Sequence, residues 1–485
     1  MTEPATRRTD RVRRGHLRPA ELADGAARVL AGNDTGTMVT AAPLLYPHMW
    51  SWDAAFISIG LAHLDIDRAA REIETLLGAQ WRNGMLPHIV FGNGTGYFPG
   101  PDRWGTAELN PDAPANPSTS GICQPPVHAI ALRRVVDIGR QGSRRDIARV
   151  EELLRHCWPR LYRWHEWLAT YRDPHHTGLL SIVHGWESGM DNSPRWDGPY
   201  AAVRPGPDLP PYVRLDRGSV ADADERPSDR EYDRYLWLVE EMRRVRYKPA
   251  EVVRRSSFLV ADVFVSALFA LACEVLAVLG PDCGAAPDQV QRLREWAARS
   301  RTAVAETCAP GAGRDLDPPT GRRVGRFGAA SESGRDAAGC LARDFDLRAE
   351  TWLSTSTIAG FAPLLCGGLG PDRERAMLAT FQGPEWAGFP GLLAAVPPSV
   401  SPANPGFRPR TYWRGPSWPV VTWLFGWALQ RRGLLEPALR LRTEGLRLVV
   451  DGTFAEYYHP FSGEPLGSHR QSWTAAVVLD WLPTG

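Results

Sequence analysis

Apolar residues recur along this chain at helical spacing rather than in strict alternation. From Arg144 to Tyr171, the positions Ile147, Val150, Leu153, Leu154, Cys157, Leu161, Trp164 and Leu168 fall on one face of a helix. The segment from Asp67, read as a capping residue, carries Ile73, Leu76 and Leu77 and stops at Gly78. The same period predicts helices at about 229–246, 257–279, 287–308, 349–366, 372–382, 416–432, 435–450 and 471–482. Strand-like alternation is scarce. Short extended pieces are expected only near Leu86–Phe91 and Leu179–Val183.

Several helices follow loops that mix aromatic and polar residues and then turn abruptly apolar. They are Trp50-Ser-Trp-Asp-Ala-Ala-Phe-Ile, Thr119-Ser-Gly-Ile-Cys-Gln-Pro-Pro-Val, Trp413-Arg-Gly-Pro-Ser-Trp-Pro-Val-Val and Gln471-Ser-Trp-Thr-Ala-Ala-Val-Val. A shaft apolar all round is a buried helix, and an aromatic-polar leading end suits a shared pocket. Inner helices paired with amphipathic outer ones predict an all-α fold, an (α/α)6 barrel with long capping loops. Two such loops are residues 92–101 and Pro199–Pro211. The glycines of residues 92–100, with Tyr97 and Phe98, suggest a lid. Residues Gly311–Arg335 look linker-like, but both flanks stay helical. Residues 31–485 are therefore read as one catalytic domain, behind a tail and lead-in at 1–30.

Composition narrows the class. Of 485 residues, 43% are hydrophobic, enough for a sizeable core. The net charge of +1 recommends neither nucleic acid nor an anionic membrane as partner. Lys248 is the sole lysine, which reads as a genome-wide preference for arginine rather than a phosphate-binding surface. The arginine-rich start, Arg7–Arg14, reads as a solvated tail without the apolar core of a secretory signal. Phe258–Leu279 is the most apolar stretch, but Asp262 and Glu274 mark it as a barrel helix rather than a membrane span. Seven cysteines without a Cys-x-x-Cys pair argue against a disulfide framework and a zinc site. A reducing, cytoplasmic setting is expected; oligomeric state stays open, a homo-oligomer included.

Two segments carry candidate chemistry. In His184-Gly-Trp-Glu-Ser-Gly-Met-Asp-Asn-Ser-Pro-Arg-Trp-Asp, glycines and a proline shape a loop that sets carboxylates beside tryptophans. An apolar wall raises a carboxyl pKa, which a proton donor to a leaving oxygen requires. Trp186 or Trp196 could form that wall. Glu187, Asp191 and Asp197 are equally readable as turn or capping residues. In Phe454-Ala-Glu-Tyr-Tyr-His-Pro-Phe-Ser-Gly-Glu-Pro, Glu456 among aromatics suits a general base. Glu464, between Gly463 and Pro465, suits a surface loop better.

Taken together and in order, these motifs resemble glycoside hydrolase family 63, in its bacterial branch of glucosylglycerate and mannosylglycerate hydrolases. The resemblance runs from Tyr46 to Trp473. It is carried by Tyr46-x-x-x-Trp50-Ser-Trp52-Asp53, Gln124-Pro-Pro, Trp186-Glu-Ser-Gly-Met-Asp191-Asn-Ser-Pro, Arg226-Pro, Trp413-Arg-Gly-Pro, Glu456-Tyr and Gln471-Ser-Trp. It implies an (α/α)6 barrel and an inverting mechanism, with Asp191 as general acid and Glu456 as general base. It also implies a sugar subsite of Tyr46, Trp50, Trp52, Asp53, Gln124, Trp186, Trp413 and Gln471, with Arg226 facing a glycerate carboxylate. Trp418 competes with Trp413 for its place, and Asp53 is also readable as the cap of a helix beginning at Ala54. Arg226 is also readable as a surface residue paired with Glu225 or Asp229.

The implied reaction is hydrolysis of glucosylglycerate to glucose and glycerate, with mannosylglycerate as the near alternative. An α,α-trehalase or short α-glucoside hydrolase is the runner-up, and a catalytically dead sugar-binding barrel the alternative outside enzymes. Acid–base glycoside hydrolysis needs no cofactor or metal. Gly92-x-Gly94-x-Gly96 lacks dinucleotide-fingerprint spacing, and His175-His176 reads as a turn.

Overall fold

Six helices are buried along most of their length: Ser51–Ala62, His128–Gly139, Val263–Leu279, the short Ala362–Cys366, Pro419–Arg431 and Ser472–Trp481. Each packs on the next in chain order, and the last packs on the first, closing a ring. An outer helix backs each member. Ile66–Gly78 lies behind Ser51–Ala62, Arg144–Tyr171 behind His128–Gly139, and Pro287–Glu306 behind Val263–Leu279. Pro371–Gln382, Leu435–Leu448 and Pro19–Asn33 back the remaining three. This is an (α/α)6 barrel. The computed structural model describes residues 17–94, 97–219, 222, 225–308 and 341–483.

The two layers differ as their sequences require. Every side chain of Ser51–Ala62 is buried. Ile66–Gly78 buries Ile66, Ala69, Ala70, Ile73, Leu76 and Leu77, encloses Arg68 and Glu72 as an ion pair, and turns Arg71 outward. The stretch Val263–Cys283 is the one among the described residues long and apolar enough to span a membrane. Here nearly all of it is buried within the ring. The outer layer begins at Pro19, inside the stretch read as a lead-in, because Leu22, Ala26, Val29 and Leu30 pack onto the barrel. The arginine-rich start and the linker-like residues 311–335 lie outside the described residues.

Three element boundaries differ from the pattern reading. The helix expected from 257 begins at Val263, because Val260–Ala261 pairs as a strand with Ser181–Ile182 and Phe345–Asp346. Asp262 then caps the helix, accepting from the backbone of Phe264 (2.7 Å) and Val265 (3.0 Å). The helix expected over 349–366 is confined to its end, Ile358–Cys366. Ahead of it, Thr351–Trp352 pairs with Phe345–Asp346, and Glu350, at φ +53°, turns the chain between them. The cap of Ile66–Gly78 is Asp65, whose side chain accepts from the Arg68 amide; Asp67 sits in the first turn. The two extended pieces are strands: Ile89–Val90 against Met49–Trp50, and Ser181–Ile182 in the four-stranded antiparallel sheet.

Candidate active site

The leading ends of the inner helices surround one cavity. Its walls include Tyr46, Trp50, Trp52, Asp53, Gln124, Trp186, Asp191, Arg226, Glu456 and Gln471. Strand Met49–Trp50 runs straight into the helix at Ser51, with no side chain capping it. The amide of Trp52 is instead taken by the Gln124 carboxamide oxygen at 3.0 Å, which ties two loops together at the cavity floor. Asp53 therefore caps nothing; it lies in the first turn and accepts from the side-chain NH2 of Gln471 at 3.4 Å. Burial raises its pKa well above the ordinary carboxylate value, and the charges of Glu456 and Asp191 push the same way.

Asp191 reaches the cavity because of Gly189. That glycine has φ +70°, and a Cβ there would lie 2.7 Å from the tip of the Trp52 ring. Only glycine meets both demands without strain. Trp186 lies against His184, with centroids 4.2 Å apart and planes tilted by 35°, and faces the cavity. Trp196 is fully buried, and its indole N–H binds the Met190 carbonyl at 2.9 Å, so it supports the loop from beneath.

The three acidic residues of this loop part company. Glu187 is buried and ion-paired with Arg172, and it accepts from the amides of Cys123 (3.2 Å) and Val183 (2.9 Å). It thereby fastens the Gln124 loop to the Asp191 loop. Asp197 pairs with Arg414 near the surface. Asp191 alone lines the cavity. Burial pushes its pKa up to about 7; the Arg226 cation opposes the shift and the Glu456 charge adds to it.

Glu456 is held from two sides. Its Oε1 accepts from the Tyr46 hydroxyl at 2.9 Å and its Oε2 from the Ser468 amide at 3.0 Å. Burial raises its pKa, against the Arg226 cation and these hydrogen bonds. Ser468 follows the hairpin that pairs Tyr457–Tyr458 with Pro465–Leu466. Glu464, in the turn of that hairpin, pairs with Arg410 at 2.7 Å away from the cavity.

Arg226 donates from Nη1 to the Tyr46 hydroxyl at 3.0 Å and from Nε to Asp216 at 3.3 Å. Its guanidinium lies over the Tyr412 ring at 4.5 Å. The surface pairs considered for it belong to others: Glu225 pairs with Arg410, and Asp229 with Arg214. Tyr46 thus links the cation to the carboxylate, accepting from Arg226 and donating to Glu456.

One expected lining residue is not on the wall. The Trp413 ring stacks flat on Trp418 at 3.6 Å and 3°, and its amide binds Asn192 at 3.1 Å. Its neighbour Tyr412 takes the place, 3.3 Å from the Tyr46 hydroxyl. In the pair Tyr412-Trp413 one ring faces in, and no local pattern decides which. Asp216, His88, Tyr232 and Tyr235 also line the cavity without a local motif to announce them. Of the loop read as a lid, residues 95 and 96 lie outside the described residues. Tyr97 and Phe98 line the cavity, Tyr97 edge-on to Trp50 at 5.0 Å. His175-His176 forms a turn, with His176 at φ +54°.

A ring of helices presenting Asp191 and Glu456, with Asp53 and Asp216 beside them, among tryptophans and tyrosines has the make-up of an O-glycoside hydrolase site. Residues 46–474 match the family described as mannosylglycerate hydrolase MGH1-like glycoside hydrolase domain, and the chain belongs to that family. The glucosylglycerate hydrolase of Mycolicibacterium hassiacum is 56% identical over 465 residues, covering 96% of this chain and 98% of that one. The mannosylglycerate hydrolase of Thermus thermophilus is 38% identical, covering 94% and 99%. Among solved structures, a GH63 mannosylglycerate hydrolase from Thermus thermophilus in complex with Tris and D-glycerate matches with a TM-score of 0.80. It is 36% identical, with 95% of this chain and 100% of that chain covered.

Proposed function

We propose that this enzyme hydrolyses glucosylglycerate to glucose and glycerate with inversion, Asp191 acting as general acid and Glu456 as general base. The observation that carries the assignment is the contrast between the two carboxyl groups. Burial pushes Asp191 up to about 7, so a substantial share of it keeps its proton near neutral pH. Burial also raises Glu456, and the Arg226 cation opposes the shift in both groups, but Glu456 alone accepts from the Tyr46 hydroxyl and the Ser468 amide, which favour its ionised form. Groups whose environments separate them in this way divide acid and base roles. The Asp191 proton passes to the glycosidic oxygen as the bond to the anomeric carbon breaks. Water attacks that carbon from the other face and gives its proton to Glu456.

Binding follows from the walls. The faces of Trp50, Trp52 and Trp186 pack on sugar C–H surface, while Asp53, Gln124 and Gln471 fix hydroxyls. Tyr412 takes the lining role expected of Trp413. Arg226 receives the glycerate carboxylate. Glucose is favoured over mannose as the sugar because the glucosylglycerate hydrolase is the more similar relative, at 56% against 38% for the mannosylglycerate enzyme of Thermus thermophilus. The catalytic domain is the one read from residue 31 onward, extended back to Pro19 by the outer helix Pro19–Asn33. Cys123, Cys157, Cys273, Cys283 and Cys366 are free thiols, which supports a cytoplasmic setting.

The substrate reading is tested by kcat/KM on glucosylglycerate, mannosylglycerate, trehalose and a neutral alkyl glucoside. Glucosylglycerate exceeds the neutral glucosides by about 10- to 150-fold, the worth of a charged hydrogen bond. A preference for trehalose contradicts the reading.

The roles also predict a pH profile. Asp191 must be protonated, so kcat/KM falls as pH rises through about 7. Glu456 must be ionised, and its raised pKa places the acid limb above the ordinary carboxylate value of 4.5. A bell results. A profile still rising well above pH 7 removes Asp191 as the acid.

A further inference from the structure

Arg226 itself rests on a residue outside the cavity. Arg214 donates from Nε and Nη2 to the two oxygens of Asp216, at 3.0 and 2.7 Å. Its Nη1 donates to the carbonyl of Pro227 at 2.6 Å. Pro227 follows Arg226 directly, and Asp216 accepts from the Arg226 Nε at 3.3 Å. One guanidinium therefore grips both the carboxylate that Arg226 leans on and the backbone beside it. Arg214 is well enclosed: its side chain is 7% exposed and its guanidinium lies over the Tyr232 ring at 4.5 Å. Asp216 and Tyr232 line the cavity, and Arg214 does not.

The charges point the same way. Arg214 holds both oxygens of Asp216, while Arg226 makes a single, longer contact with it. Despite burial, the two guanidiniums hold the Asp216 carboxyl below the ordinary range, so it stays ionised. Arg214 also reaches Asp229 at 3.1 Å, an exposed carboxylate away from the cavity wall. Arg226 is left with the lesser share of Asp216.

We propose that Arg214 is a positioning residue for aglycone specificity, orienting Arg226 through Asp216 and the Pro227 carbonyl to receive an anionic aglycone. The proposal rests on Arg226 as the aglycone ligand and extends it to a residue that touches no substrate. Lysine at 214 keeps the charge but loses the planar fork that serves a carboxylate and a carbonyl at once.

A double-mutant cycle with Arg214→Lys, Arg226→Ala and the pair tests this, with kcat and KM measured on glucosylglycerate and on a neutral alkyl glucoside. Arg214→Lys raises KM for glucosylglycerate about 10-fold, leaves kcat within about twofold, and leaves the neutral glucoside as in wild type. In the Arg226→Ala background the lysine substitution costs nothing further, because coupled residues are not additive. Equal losses on both glycosides, or a loss that persists without Arg226, overturn the proposal. Asp216→Asn guards against a fold defect at 214, since it weakens the link while leaving the hold on Pro227. It too raises KM more for the anionic glycoside, with the helical circular-dichroism signal retained and a lower melting temperature, because folding holds Asp216 ionised between two guanidiniums; equal effects on both substrates overturn the proposal again. A wild type with no preference for the anionic glycoside removes the proposed function and this inference with it. A preference combined with an additive cycle removes only the inference.

Discussion

Asp191→Asn and Glu456→Gln each lower turnover on glucosylglycerate by about 10²-fold or more, with the fold intact. Asparagine removes the proton that the leaving oxygen requires. Glutamine keeps the shape of Glu456 and still accepts a hydrogen bond, but it takes no proton from water. Stability separates a chemical loss from a structural one. Burial raises the pKa of Glu456, so folding disfavours its ionised form. A group whose pKa is raised on folding contributes less stability as pH rises through that range. The neutral glutamine sheds the buried charge but turns an NH2 toward one of the two donors, so the two effects oppose and its melting temperature stays near that of wild type at neutral pH. Glu464→Gln is the internal control. Its carboxylate pairs with Arg410 away from the cavity, and turnover stays near wild type. Near-normal turnover in either of the first two variants contradicts the assignment.

Arg226→Ala forfeits roughly 1.5–3 kcal/mol of transition-state binding with glucosylglycerate, about 10- to 150-fold in kcat/KM. A neutral glucoside loses less, though not nothing, because Arg226 also holds the Tyr46 hydroxyl that donates to Glu456. The ratio of the two losses is the diagnostic quantity. A second signature is pH-dependent. The Arg226 cation lowers the pKa of both Asp191 and Glu456, so its removal moves both limbs of the profile upward. Equal losses on the two substrates place Arg226 in the sugar subsite or the scaffold, and glycerate recognition elsewhere.

Much of the barrel was readable because burial on an inner helix requires apolar residues all round, and burial on an outer one requires a stripe. Arg144–Tyr171 and Ile66–Gly78 show the stripe plainly. The pattern misleads where a buried strand and a buried helix both demand an apolar run, as at Val260–Ala261, and again at Thr351–Trp352, a strand inside an expected helix. At the site, the motifs announced which loops meet but not which way their side chains turn. Trp413 carries the motif, yet Tyr412 faces the cavity, because the flat stack on Trp418 captures the larger ring. Glu187 stands in the same short motif as Asp191, and its burial against Arg172, the nearby Val183 amide and the distant Cys123 amide makes it a brace. Arg214 carries no motif at all. Its importance depends on contacts to Asp216 and Pro227, which only the folded loop brings together.

The most direct test of the two-carboxylate account is proton NMR of the first sugar released from glucosylglycerate by the wild-type enzyme, recorded before mutarotation equilibrates the anomers. Asp191 and Glu456 acting as acid and base on opposite faces predict glucose of the anomer opposite to the substrate's, released together with glycerate. Glucose first appearing with the substrate's own anomeric configuration, or a trapped glycosyl-enzyme, contradicts the account.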